Sequence, residues 1–236
     1  MNGPMSDPSK PVTLVDDDQS PLVDQHQKPT LRGWSHVAGF VTAACLGGVM
    51  IGLANAPTTR AAMIIYVICL CTMLGVSSLY HRLSWSPAAR EKMRKLDHST
   101  IFLAIAGSYT PIAAIVLEGW QRTAVLVTVW VGTAIGMTMQ WLPLHIPRWL
   151  STAVYAIVGW VAVLALPELY TGLGLLGFLL MLGGGLAYTV GAVVYAMKRP
   201  DPWPTVFGYH EVFHACTVIG AGLHMACIAF VVLPKG

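Results

Sequence analysis

From residue 34 to the end of the chain, apolar blocks recur that are long enough to cross about 30 Å of hydrocarbon as helices. They lie near 34–54, 60–80, 97–117, 123–141, 149–166, 172–197 and 209–233. Inside a bilayer every backbone N–H and C=O must be paired within the protein, which leaves only helices and closed barrels. The runs are continuous and not alternating, and this selects helix. Composition agrees, because 55% of the 236 residues are hydrophobic and only 11% are charged. That is more apolar surface than a domain of this size buries in water. The expected fold is all-α: a polytopic membrane protein whose residues 32–236 form a seven-transmembrane helix bundle.

Residues 1–31 differ from the apolar remainder of the chain, being rich in Pro, Asp, Ser and Gln. They lack the basic start and apolar run of a signal peptide and read as a disordered cytoplasmic tail. Lys and Arg set the orientation. Lys10, Lys28, Arg32, Arg82, Arg90, Lys92, Arg94, Lys95, Arg148, Lys198 and Arg199 fall on one side of the expected membrane, and Arg60, Arg122 and Lys235 on the other. Eleven against three puts the N-terminus in the cytoplasm and, with seven helices, the C-terminus outside. The net charge of +3 then reflects topology, and no aromatic–basic array points to nucleic acid. Trp34, Trp120, Trp141 and Trp149 fall at expected helix ends, where an interfacial aromatic belt places them.

Two glycine pairs, Gly48 with Gly52 and Gly132 with Gly136, have the four-residue spacing that lets helices approach closely. Packing between the chain's own helices is the expected use of both pairs. Cys45, Cys69, Cys71, Cys216 and Cys227 all lie in expected helices without C-x-x-C spacing, so they read as small apolar packing residues.

Ionisable groups at membrane depth are costly and mark function. The second block ends V-S-S-L-Y-H, with Ser77 and His81 one turn apart on one helix face. The seventh begins Y-H-E-V-F-H, which gives His210 and His214 the same relation, and the third begins L-D-H-S-T with Asp97 and His98 at its mouth. One of these helices descends to the cytoplasmic leaflet and two rise from it, so the topology brings all of these residues to one depth. Three imidazoles with an open fourth position suit a catalytic zinc ion, with His81, His210 and His214 as ligands. Asp97 and Ser77 would then orient water or take its proton. Taken singly, each has a plainer reading: a helix-end histidine can be an interfacial hydrogen-bonding group, and an aspartate opening a helix can be its cap.

The seventh block also spells H-E-x-x-H, a soluble metalloprotease pattern. Glu211 lies about 100° round the helix from His210, and Gly220 stands where the longer pattern needs a third histidine. Glu211 therefore reads as facing headgroups or supporting the ligands, and more weakly as a general base.

S-S-L-Y-H, then L-D-H-S-T-I-F-L-A-I-A-G-S-Y-T-P, then F-G-Y-H-E-V-F-H together resemble the hemolysin III family, bacterial relatives of the progestin and adiponectin receptors. The resemblance runs from about residue 33 to the end and extends to the alkaline ceramidases, which share the Ser, His, Asp and H-x-x-x-H arrangement. It implies an intramembrane zinc on His81, His210 and His214, Asp97 touching the bound water and Ser77 close by. It also implies a lipid-open cavity and, for the receptor branch, slow ceramide-type amide hydrolysis; the bacterial branch is linked to membrane-lipid homeostasis. The chain departs from the family's T-H-G-x-G start with S-H-V-A-G, which keeps His36 and Gly39 and loses the first glycine. His36 is thus either an extra polar group near the site or an interfacial structural residue.

His224 lies about 80° off the face of His214 and is expected to make a buried hydrogen bond. His98 is expected to point away from Asp97, and His26 and His145 to be solvated. The functional expectation is a plasma-membrane, multi-pass, zinc-dependent hydrolase of a membrane lipid amide or ester, ceramide- or fatty-acid-like. The alternatives are a lipid-homeostasis sensor with structural zinc and, more weakly, a pore-forming hemolysin.

Overall fold

A computed structural model describes residues 29–142 and 147–236. Among the described residues the chain is helical, with no strand beyond an isolated bridge between Trp203 and Phe207. The helices are α1 (Trp34–Leu53), α2 (Pro57–Arg82), α3 (Pro87–Val116), α4 (Gly119–Trp141), α5 (Arg148–Gly159), α6 (Leu166–Met197) and α7 (Tyr209–Cys227). A short 3-10 segment, Val161–Ala165, links α5 to α6, and a π turn at Ile228–Val232 follows α7. Most of the tail expected at 1–31, together with His26 and His145, lies outside the described residues.

Among the described residues six stretches are long and apolar enough to cross a membrane: α1, α2, α3, α4, Trp149–Met197 and Tyr209–Lys235. The two blocks expected at 149–166 and 172–197 merge into one 49-residue stretch. Pro167 does not separate them, because it sits in the first turn of α6, where a missing N–H costs nothing. The breaks fall at Trp160 and at Gly174, whose φ of +67° leaves the helical region.

Helix α3 begins ten residues before its apolar block. Ser86 accepts from Ala89 N at 3.4 Å and Pro87 takes the first position, a start signal that outranks the charges in the first three turns. Lys95 and Glu91, one turn apart, pair at 3.4 Å on this extension. The consequence for the site is direct: Asp97 sits in mid-helix and caps nothing.

Helices pack in chain order, α1 on α2, α2 on α3, α3 on α4 and α6 on α7, and α1 closes against α7. The core is richest around α2 and α3, where Met63, Tyr66, Leu74, Phe102 and Ala106 are fully buried. Large apolar side chains such as Val49, Ile68, Leu176 and Phe230 point outward, as a lipid solvent requires. Where α5 breaks, Tyr109 of α3 donates its hydroxyl to Gly159 O at 2.6 Å and accepts from Ala162 N at 2.8 Å. A broken helix is tolerated at membrane depth only when its freed groups are paired in this way. Both arginines of the smaller charge group have similar tasks: Arg60 bonds Ala54 O at 2.8 Å and Arg122 bonds Leu117 O at 2.7 Å, each tying a turn between helices.

The glycine expectations divide. A Cβ on Gly132 would meet Val158 at 3.1 Å and one on Gly136 would overlap the Phe102 ring, so that pair does admit neighbouring helices. Gly48 and Gly52 face nothing within 4 Å among the described residues, where their expected packing within the chain is not found. The close approach of α1 is made at Gly47, where a Cβ would lie 2.6 Å from Val67. All five cysteines are unpaired, and Cys227 Sγ donates to Gly177 O at 3.3 Å.

Candidate metal centre

His81 occupies the last turn of α2, and His210 and His214 the first two turns of α7, all three buried. One ligand atom from each lies within 4.8 Å of the others. The ring centroids are 4.8 Å apart for His81 with His210, 4.8 Å for His81 with His214 and 4.6 Å for His210 with His214. His81 Nε2 and His210 Nε2 approach to 3.3 Å. Tetrahedral zinc with Zn–N bonds of 2.0–2.1 Å separates neighbouring nitrogens by about 3.3 Å. The donor set fits a metal ion, and the buried Nδ1 of His214 has no hydrogen-bond partner among the described residues.

Asp97, buried ten residues into α3, places Oδ2 3.8 Å from His81 Nε2. Ser77 is buried one turn before His81. Ser77, Asp97, His210 and His214 line one cavity of about 550 Å³, which continues inward past Tyr188 to His224. Apolar side chains of α3, Ile101 and Ile105, line the same wall. That is a volume and polarity suited to an apolar molecule carrying a few polar atoms.

The first turn of α7 is held from outside. Glu211 Oε2 accepts from Gly208 N at 2.8 Å, and Asp201 Oδ1 accepts from Tyr209 N at 2.8 Å, satisfying N–H groups that a helix start leaves bare. The other oxygen of Glu211 pairs with Arg32 Nε. Glu211 is therefore buried and engaged, and it does not face the headgroups. The segment before α1 also bonds the loop before α7, Thr30 N to Thr205 O and Leu31 N to Val206 O, both at 3.2 Å. In the sequence Arg32 reads only as a positive charge, and no spacing links it to a residue 179 positions away.

His36 lies on the buried face of α1 with its ring stacked on that of His214, centroids 3.9 Å apart and planes 12° from parallel. His224 behaves as its helical position implies, with Nε2 3.1 Å from Met181 O and its ring seated against Gly184. His98 lines the cavity, and its carbonyl accepts from Tyr155 at 3.2 Å.

The family model described as "Haemolysin-III related" matches residues 24–225. "Hemolysin-3" of Bacillus cereus is 32% identical over 178 residues, covering 73% of this chain and 76% of that protein. "Hemolysin-3 homolog" of Bacillus subtilis (strain 168) is 30% identical over 166 residues, covering 67% and 75%. With the family model spanning residues 24–225 and a relative 32% identical over 73% of its length, this chain belongs to the hemolysin III family.

Proposed function

We propose that the protein is a membrane hydrolase of lipid amides or esters, with zinc held by His81, His210 and His214. The observation that carries this reading is the buried Asp97 carboxylate 3.8 Å from His81, on the wall of a cavity shared with His210 and His214. Zinc bound there would polarise an acyl carbonyl and bring water towards a neutral pKa. Asp97 takes the proton of the attacking water and returns it to the departing amine or alcohol, so the acyl C–N or C–O bond breaks with no net change of protons on the protein. Ser77 supports the oxygen on which negative charge develops. Ile101 and Ile105 receive the apolar chain of the lipid.

The same proposal includes seven crossings with the N-terminus inside, in the plasma membrane. The number of crossings is supported by the length of Trp149–Met197, 49 residues. At 1.5 Å per residue this is about 74 Å, more than twice the hydrocarbon core.

Metal analysis of the purified protein beside His81→Ala, followed by turnover of acyl amides and esters by wild type and Asp97→Asn, tests the reading. Stoichiometric zinc lost with His81, and turnover lost with Asp97 while zinc stays, are the expected results. Zinc retained together with turnover indifferent to Asp97 would leave the metal a strut between helices, as in a lipid sensor. Wild type without metal would refute both readings.

A further inference from the structure

We propose that Arg94, with Arg90 one turn before it, binds the phosphate of an acyl lipid at the surface end of the cavity, so that the substrates of the three-histidine site are phosphate-bearing lipids. This rests on the reading of that site as one for acyl lipids. Among the described residues, the charged side chains lining the cavity all belong to one stretch of α3: Arg90, Glu91, Arg94, Lys95 and Asp97. Lys95 pairs with Glu91 at 3.4 Å, and Asp97 lies against His81. No described carboxylate pairs with Arg94, which is half-buried on the cavity wall. This end of the cavity reaches the surface, where Pro87 and Glu91 are exposed.

The arginines share a helix face with the site. Arg90, Arg94, Asp97, Ile101 and Ile105 recur at intervals of three and four residues, and all five line the cavity. At 1.5 Å per residue, Asp97 lies about 5–10 Å deeper than the two arginines, and Ile105 about 12 Å deeper again. An acyl carbonyl held at Asp97 therefore has its chain on one side and, a few bonds away towards the surface, a basic pair on the other. That is the layout of a glycerophospholipid or its single-chain form. The acyl oxygens belong beside the histidines, so the arginines call for a second anionic group in the headgroup. Arginine offers a planar fork of N–H donors that matches phosphate oxygens. Orientation in the membrane accounts for a basic stretch on this side, but not for its placement. Lys92, in the same turns of α3, is exposed and does not line the cavity, and it serves topology equally well.

The test uses the full-length chain as purified, in neutral-detergent micelles, and three probes without an acyl bond to hydrolyse: hexadecyl glyceryl ether, its phosphate ester and inorganic phosphate. Each is titrated calorimetrically into wild type, Arg94→Gln, Arg94→Lys and Lys92→Gln, with metal content and thermal midpoint measured on the same samples. Wild type should bind the phosphate ester about ten- to a hundredfold more tightly than the neutral ether, the worth of hydrogen bonds to a charged group. Arg94→Gln should lose most of that preference while its affinity for the neutral ether stays within about twofold of wild type. Arg94→Lys, which keeps the charge and loses the fork, should lose part of it, and Lys92→Gln should keep it. A wild type that binds the two ethers alike, or binds neither, overturns the proposal. So does an Arg94→Gln that keeps the preference, or a Lys92→Gln that loses it as fully, since the charge of the whole leaflet would then be the cause. Inorganic phosphate bound as tightly as the phosphate ester also overturns it, because the anion would not then be a lipid headgroup. Should Arg94→Gln fail to fold, Arg94→Lys and Lys92→Gln decide, and equal affinity of the two for the phosphate ester counts against the proposal. Failure of the hydrolase reading is distinguishable: protein without zinc or turnover refutes that reading while the phosphate preference can still be read. Zinc and turnover of neutral acyl amides, with no preference for phosphate, overturn this proposal alone.

Discussion

Two regions of similar apolar character are used in opposite ways. In α2 and α3, 50% and 56% of the most apolar window is buried inside the protein, against 17% in Trp149–Met197. The buried pair carries Ser77, His81 and Asp97 at one end and a closely packed core at the other, with no break inside either helix. The exposed stretch is broken at Trp160 and Gly174 and contributes Tyr155 and Tyr188 to the wall of the cavity. Ser77, His81 and Asp97 sit on this more buried, rigid half, whereas His210 and His214 come from α7, which packs on α6. The exposed stretch supplies another wall of the cavity, and its backbone irregularity is stabilised from the rigid side by Tyr109.

The largest effect that could break this contrast is expected at Asp97. Asp97→Asn should lower turnover of acyl amides or esters about 10²–10⁴-fold, the range for loss of a positioned acid–base group, with metal content unchanged. Turnover that survives would mean the rigid half is a frame and not a site. His81→Ala should come next. Loss of an outer partner already costs about 10–100-fold in metal affinity, so loss of a ligand should exceed that, read by competition with a chromophoric chelator.

Much of the site is legible in the sequence alone. Ser77 and His81, like His210 and His214, are one turn apart by arithmetic, and the alternation of crossings puts their helix ends in one leaflet. The contacts that hold them are out of reach for a physical reason: they join residues with no periodic relation. Arg32 with Glu211, Tyr109 with Gly159, and the stack of His36 on His214 each depend on how helices distant in sequence rotate about their own axes. Hydropathy fixes depth and says little about rotation when a helix is apolar all round. The same limit explains Gly48 and Gly52, which have the spacing of a packing motif on a face that meets nothing, while Gly47 makes the contact.

Tyr109→Phe probes the boundary between the two halves. It removes one hydroxyl and leaves Gly159 O and Ala162 N without that partner at the break. The expected cost is about 1–3 kcal/mol, seen as a lower thermal midpoint in detergent with metal content unchanged. A midpoint equal to wild type would show that the break needs no clamp and that the halves are independent.

The smallest effect concerns the two faces of α1. Gly47→Leu would press a side chain into Val67, and overpacking of this kind costs about 1–3 kcal/mol. Gly48→Leu, one residue on, enters open space. In lipid an added apolar side chain there should change stability by less than about 0.5 kcal/mol, as surface substitutions do. Thermal melts of the two variants side by side give the answer. Equal destabilisation would mean that Gly48 and Gly52 face a second helix that this single chain does not supply. A loss confined to Gly47 fixes the rotation of α1, and with it the face that presents His36 to His214.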